Sequence, residues 1–325
     1  MSSEDWRPSA SCETLRARAH FVSQIRAFFA QRDIWEVETP ILSAAAATDL
    51  HLDSFTTRYV GPGAASGRQL YLHASPEFAM KRLLADGSGA IYQLCKVFRN
   101  GETGWLHNPE FTMLEWYRPG FDSAALMDEI DDLLAFLCGV GQAERVTYQQ
   151  IFEHHLRLDP HRCSLSELRA CAALHDLMPP CLDDDDRNGW LDFLLTHLIE
   201  PKLGRERPMF VYDYPATQAA LARLKKQDGI VVAERFELYI NGVELANGYY
   251  ELADVTEQLN RIERDCALRV ERKLSAVPKD ERFLAALAHG LPVCSGVAVG
   301  VDRLFMIAHQ AKCLQEVIAF NILNA

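Results

Sequence analysis

The stretch FRNGETGWLHNPEFTMLEWY, residues 98 to 117, limits the architecture more than any other part of the chain. It reads as two strands joined by a loop, with Arg99 at the foot of the first and Phe111, Glu115 and Tyr117 returning along the second. One arginine, three carboxylates and five aromatic rings fall in this one stretch. Strands joined in this way pair antiparallel, so the fold must contain an antiparallel sheet. Taken alone, the arm fits a surface hairpin with a solvated charge as well as it fits a site built around a cation.

The chain has 325 residues, 49% hydrophobic and 24% charged, an ordinary globular balance with material for one large domain or two smaller ones. No apolar run is long enough to span a membrane, and Met1 to Trp6 has neither the basic nor the apolar segment of a secretory signal. Lys plus Arg is 33 against 45 for Asp plus Glu, a net charge of −12 that disfavours large polyanions such as tRNA. Lys225-Lys226 is the only Lys pair, with Arg205/Arg207 a small basic cluster nearby. Nine scattered cysteines without a CxxC spacing suit free thiols in a reducing cytoplasm. Cys163, Cys171 and Cys181 lie near His154, His155, His161 and His175, but not at the short spacings of structural zinc sites.

Leu15, Val22, Ile25, Phe28 and Phe29 recur at helical spacing over residues 14–32. DIWEVETP (33–40) alternates as a strand stopped by Pro40. The glycine-rich GPGAASG (61–67) predicts a hairpin turn between residues 51–60 and 68–75 rather than a phosphate loop. Pro76 opens a helix capped by Ser75 and closed by Gly87. Residues 122–137 and most of 147–205 read as helical, with the acidic run Asp183 to Asp186 as a solvated helix N-terminus. Strands return at 208–215 and 231–252, a charged helix follows at 254–274, and CSGVAVGVDRLFMIAH (294–309) is a strand, turn and helix. The fold class expected is α+β, a mostly antiparallel sheet flanked by helices.

Gly296, Gly300, Asp302 and Arg303 cluster in that last element. Glycine lets a flat ring or a phosphate approach the backbone, and an arginine there can lie over a ring or meet a phosphate. Close strand packing with an Arg–Asp pair is the plainer reading. Glu244 and Glu251 stand seven residues apart in ELANGYYE. If ANGYY turns or bulges, with Asn247-Gly248 as the expected turn, both carboxylates face one side and could hold Mg²⁺ together with phosphate oxygens. A charged hairpin is the alternative.

The helix and strand ending at Pro40, the strand-loop-strand with Arg99, and GVAVGVDR with Arg303 occur in the order of the three signature motifs of class II aminoacyl-tRNA synthetases, which the chain resembles from about residue 15 to 325. SPEFAMKRLL, HNPEFTMLEWY and GVELANGYYEL narrow the resemblance to the lysyl type. The first motif helix begins near residue 14, so residues 1–13 are expected to be an extension and 14–325 a single catalytic domain without an anticodon-binding module. ETPILS, TDLHL, YVGPG and VIAFN resemble the free-standing lysyl paralogues that modify elongation factor P.

That resemblance implies a cytoplasmic, homodimeric, AMP-forming ligase using ATP and Mg²⁺. It would activate (R)-β-lysine or lysine and pass it to a lysine ε-amine of elongation factor P. Arg99 would bind the ATP α-phosphate and the substrate carboxylate together, as a planar guanidinium can. Phe111 and Arg303 would stack on the two faces of adenine. Asn100, Gly101, Asn108, Glu244, Leu245 and Gly300 complete the implied nucleotide site, and Glu244 and Glu251 the metal site. Ser75, Pro76, Glu77, Tyr117, Glu251 and Ala298 line the implied amino-acid pocket. Glu77 could otherwise be a first-turn helix charge and Tyr117 a core residue.

Two departures stand out. Gly101 occupies a position where the family often has glutamate, with Glu102 one place later. Ala298 replaces the glycine usual in lysyl-tRNA synthetases, putting a methyl group at the pocket wall. A tRNA-charging enzyme and a catalytically inactive regulatory paralogue are the alternatives. Intact Arg99, Glu244, Glu251 and Arg303 argue against the second.

Overall fold

A computed structural model describes residues 6–178, 182 and 185–325. Met1–Asp5 of the expected extension, Cys181, and Asp183 and Asp184 of the acidic run lie outside the described residues. In chain order the elements are α1 (Cys12–Ala30), β1 (Trp35–Glu36), β2 (Leu42–Ser43), β3 (Thr56–Tyr59), β4 (Arg68–Leu72), α2 (Glu77–Ala85), β5 (Ile91–Phe98), β6 (Glu110–Pro119), α3 (Ser123–Cys138), β7 (Glu144–Thr147), α4 (Tyr148–Leu156), α5 (Leu165–Leu174), α6 (Arg187–Leu194), β8 (Met209–Pro215), β9 (Leu224–Gln227), β10 (Ile230–Ile240), β11 (Val243–Tyr250), α7 (Val255–Glu271), α8 (Glu281–His289), β12 (Cys294–Gly300) and α9 (Val301–Ala308). They fall into two units, Met1–Phe121 with Leu252–Ala325, and Asp122–Glu251.

The first unit orders its main strands β1-β5-β6-β12, antiparallel except for the short β1 beside β5, and adds a three-stranded sheet β2-β4-β3. Ser11 caps α1 by accepting the Thr14 N–H. The helix buries Phe21, Ile25, Phe28 and Phe29, spaced as one face of a 3.6-residue period. Phe29 stacks on Tyr92 at 4.3 Å between centroids and meets Trp116 edge-on at 5.3 Å, so α1 covers one face of β5 and β6. Arg18 of α1 reaches Asp302 at the start of α9 and donates to Thr112 Oγ1 at 3.1 Å, while the Thr112 N–H donates to Asp302 at 2.7 Å. The Arg–Asp pair considered for the last motif therefore joins Asp302 to α1.

The expected strand over 33–40 shrinks to Trp35–Glu36. Ile34 and Val37 are buried and Trp35 is exposed, a spacing of three that contradicts the expected alternation. A two-residue edge strand is too short to impose a period of two on its neighbours. The hairpin around GPGAASG forms as expected, with β3 and β4 antiparallel. In α2, Pro76 is the cap residue rather than part of the first turn, and Ser75 Oγ accepts the Glu77 N–H at 2.9 Å.

The second unit orders its strands β11-β10-β8-β7, with β9 on β10. All pairs are antiparallel except β7–β8. Helices α4, α5 and α6 bury Tyr148, Phe152, Leu168, Trp190, Leu191 and Leu194 in one core with Val211 and Tyr214 of β8. Cys163 and Cys171 belong to that apolar core. Asp186 caps α6 by accepting the Gly189 N–H at 2.9 Å, and Asp185 is exposed, in keeping with a helix N-terminus.

The hairpin turn between β10 and β11 lies at Asn241-Gly242, not at Asn247-Gly248 as expected. Both turn residues have positive φ (56° and 75°), the conformation that two-residue hairpins require. Gly248 instead sits within β11, where an added methyl would fall 2.3 Å from the buried Phe236 ring. Gly248→Ala is expected to cost about 1–3 kcal/mol by overpacking. A urea denaturation midpoint equal to that of the wild type would contradict this close approach.

Candidate active site

Register decides which side chains share a face. Across β5, β6 and β12 the rows are Val97–Phe111, Cys95–Met113–Gly300, Gln93–Glu115–Ala298 and Ile91–Tyr117–Gly296. Directly paired residues point the same way and alternate residues share a side. Phe111, Tyr117, Ala298 and Gly300 therefore lie on one face, opposite the Trp116 and Tyr92 rings that α1 covers. Glu115, which sequence reasoning did not select, stands in the middle of it.

At one end of this face is Arg99. Its guanidinium carbon lies 5.1 Å from the Phe111 ring centroid, and its NH1 is 3.7 Å from Glu102. Its Nε is buried without a hydrogen-bond partner, a donor that suits an anion. Asn100 donates its backbone N–H to Asp53 O at 2.8 Å and its side-chain amide to Asp53 Oδ2 at 2.7 Å. Gly101 has φ +80°, which lets the chain turn directly after the arginine. Asn108 donates to Glu110 O at 2.7 Å and accepts the Ile322 N–H at 3.0 Å, so both ends of its amide hold protein. These two asparagines, expected as nucleotide contacts, fix the feet of the 100–108 loop.

Arg303 leaves α9 toward the same loop. Its Nε donates to Leu106 O at 3.1 Å, and its NH2 stands 2.7 Å from His107 Nε2. Burial, the Arg303 charge and more weakly Arg99 hold His107 below its usual range, against an opposing pull from Glu102, so its ring suits the role of neutral acceptor. A methyl group on Gly300 would meet only the Arg303 side chain, at 3.8 Å or beyond, which leaves open space above that backbone.

The other end of the face is acidic. Ser75 Oγ donates to Glu115 Oε2 and Tyr117 OH to Glu115 Oε1, each at 2.7 Å. Glu115 is fully buried; burial first and the Glu77 charge second push its carboxyl up to about 8, against the Tyr117 and Ser75 hydrogen bonds and the Lys81 charge. Pro76 places Glu77 at the first position of α2, where Lys81 Nζ lies 2.6 Å from Glu77 Oε1. Cys95 is pushed up to about 12 by burial and then by Glu115, so its thiol stays protonated.

In the second unit, β10 and β11 pair Leu238 with Ala246 and Tyr239 with Glu244, so the buried Leu245 is an extra, bulged residue. The bulge resets the alternation. Glu244 then shares a side with Asn247, Tyr249 and Glu251, and also with Glu237, whose carboxylate accepts from Tyr214 OH at 2.6 Å and Tyr239 OH at 2.5 Å and meets Arg235 NH2 at 2.5 Å. Among the described residues no three His, Cys, Asp or Glu side chains form a metal-holding group. Two carboxylates on one strand face are hard oxygen donors. They fit an ion such as Mg²⁺ that takes its remaining places from phosphate oxygens and water.

A family model of tRNA synthetases class II (D, K and N) matches residues 3–324. The chain is 52% identical over 325 residues to the elongation factor P--(R)-beta-lysine ligase of Pseudoalteromonas translucida, covering 100% of both chains. It is 52% identical over 320 residues to the Pectobacterium atrosepticum protein of the same name, covering 98% of each, and 52% identical over 316 residues to that of Vibrio vulnificus, covering 97% and 98%. Matched almost from end to end, with a cation at one end of the site face and carboxylates at the other, the chain belongs to the class II tRNA synthetases of the D, K and N type.

Proposed function

We propose that the chain is an ATP-dependent, AMP-forming ligase that activates (R)-β-lysine, or lysine, and transfers it to the ε-amine of a lysine on elongation factor P. One observation carries the reading: a single sheet face offers a guanidinium with an unsatisfied Nε beside an aromatic ring at one end and a buried carboxyl cluster at the other. The first suits a nucleotide phosphate, and the second an ammonium. The names of the relatives support the acceptor, and the net charge of −12 favours a protein acceptor over tRNA.

In this mechanism the amino acid's carboxylate attacks the α-phosphorus of ATP, giving an aminoacyl-adenylate and pyrophosphate. No enzyme nucleophile is required; position and charge stabilisation lower the barrier. Arg99 holds the carboxylate and the α-phosphate together. Phe111 and Arg303 flank the adenine, which rests against Gly300, and Asn100, Gly101 and Asn108 shape the loop that covers it. The family resemblance also assigns Glu244 and Leu245 to nucleotide binding. Mg²⁺, held by Glu244 and Glu251, would supply charge neutralisation on the phosphates. Ser75, Glu77, Tyr117 and Glu251 receive the substrate's ammonium groups, with Pro76 and Ala298 as walls and Glu115 added from the geometry. The incoming lysine amine, of free pKa about 10.4, attacks the adenylate carbonyl carbon in its neutral form; the new C–N bond forms as the C–O bond to AMP breaks, AMP leaves, and the amine's proton passes to solvent.

The protein is proposed to work as a cytoplasmic homodimer joined through α1 and the segment ending at Pro40. Exposed Trp35, Ile41 and Leu42 supply apolar surface there, and the cysteines among the described residues are free thiols. Among the described residues, no helix is long and apolar enough to cross a membrane.

Arg99→Ala is expected to abolish pyrophosphate exchange with (R)-β-lysine while the far-UV spectrum and melting temperature stay near wild type. Near-normal exchange by the folded variant would remove Arg99 from the reaction. Ala298→Gly is expected to shift the kcat/KM ratio toward α-lysine by roughly tenfold to a hundredfold, since one methyl is worth about 1–3 kcal/mol of discrimination. An unchanged ratio would place Ala298 away from the substrate. Sedimentation at micromolar concentration is expected to give twice the chain mass; a monomer would refute the proposed interface.

A further inference from the structure

Lys81 carries a buried charge to which the mechanism above gives no part. Its side chain is 1% exposed, one helical turn beyond Glu77 and 2.6 Å from that carboxylate. The ammonium lies 5.9 Å from the Phe283 ring, which stacks on Phe78 at 4.4 Å between centroids. A lysine is rarely buried so far without an anion to answer it. Three elements bring titratable groups to this place: Glu77 and Lys81 from α2, Glu115 and Tyr117 from β6, and the protonated Cys95 from β5.

We propose that Lys81 is a positioning residue that sets the charge of the ammonium pocket without touching substrate. By neutralising Glu77 it leaves Glu115 as the carboxyl of the Ser75–Glu115–Tyr117 cluster that answers an incoming ammonium, so that binding there expels the Glu115 proton. This rests on the reading of the Ser75–Glu115–Tyr117 cluster as the ammonium end of the site. The uncharged pocket holds Glu77 paired with Lys81 and protonated Glu115, whose proton burial and the Glu77 charge retain below pH 8 against the Ser75 and Tyr117 hydrogen bonds. Adding an ammonium would leave one buried positive charge in excess. Neutrality returns when the Glu115 O–H bond breaks, its electrons stay on the carboxylate, and the proton passes to solvent. Without Lys81, Glu77 and Glu115 would share one proton and one negative charge, as close carboxyl pairs do, and an ammonium would balance them with no proton released.

The test is calorimetric titration of the full chain with (R)-β-lysine between pH 6 and 8, in buffers of different ionisation heat, which counts protons released. Wild type is expected to release about one proton near pH 7, with Kd falling about tenfold per pH unit until the Glu115 range is reached. Lys81→Met is expected to release almost none and to show a nearly flat Kd across that range. Lys81→Arg keeps the charge and should keep the release. Glu77→Gln combined with Lys81→Met restores the wild-type charge count and should restore the release, even if affinity falls. A purely packing role for Lys81 would not move proton counts in this pattern. If wild type and Lys81→Met release the same number, the proposal fails while the pocket reading stands. If wild type releases none, the pocket reading itself fails. Should Lys81→Met not fold, absence of proton release from the folded double variant overturns the proposal.

Discussion

A carboxylate removed from water must find donors, and Asp302 finds them on two other elements. Arg18 of α1 and the Thr112 N–H of β6 both converge on it, although it belongs to α9. The bond to Thr112 fixes α9 against the central strand, and the bond to Arg18 fixes α1, whose Phe21 ring also meets Phe305 of α9 at 5.3 Å between centroids. Removing one member of such a pair leaves a buried charge uncompensated, at a cost of about 3–5 kcal/mol. Arg303 is the next residue. Its reach toward Leu106 and His107 therefore starts from a point that three elements hold in place.

The same strand separates opposite electrostatic tasks along its length. Phe111 and Tyr117 are six residues apart on β6, roughly 20 Å of extended chain. At the Phe111 end a guanidinium waits near an aromatic ring. At the Tyr117 end a carboxyl is held by two hydroxyls. With the guanidinium and the carboxyl kept this far apart, neither end engages the other, and an extended molecule that is anionic in the middle and cationic at its tip has one orientation that suits both.

Much of this was legible from residue patterns. The arm around Arg99, the GPGAASG hairpin, the helix after Pro76 and the last strand and helix all emerged because each carries its own local signals. Elsewhere local signals competed. ANGYY draws the expected turn to Asn247-Gly248, where it would let Glu244 and Glu251 meet, whereas the chain turns at Asn241-Gly242. Gly248 is there for a different reason, to admit the Phe236 ring. DIWEVETP alternates on paper, but an edge strand of two residues leaves most of it unpaired. Glu115, His107 and Lys81 carry no local signal, because their roles come from partners distant in sequence or from burial. One clue was present: Glu115 lies two residues before Tyr117 and four after Phe111, on the side of the strand already chosen.

The bulge at Leu245 gives strand length a meaning that side-chain identity does not carry. Glu244 and Glu251 are an odd number of residues apart and share a side only because one residue between them is uncounted by the pairing with β10. Deleting a single residue in this interval, even one with an unimportant side chain, would either remove the bulge or turn one carboxylate to the opposite face. A conservative replacement at Leu245 would leave the arithmetic intact. The strand is therefore more exposed to a change in reading length than to most changes in spelling, and its two acids depend on a spacing that no single residue encodes.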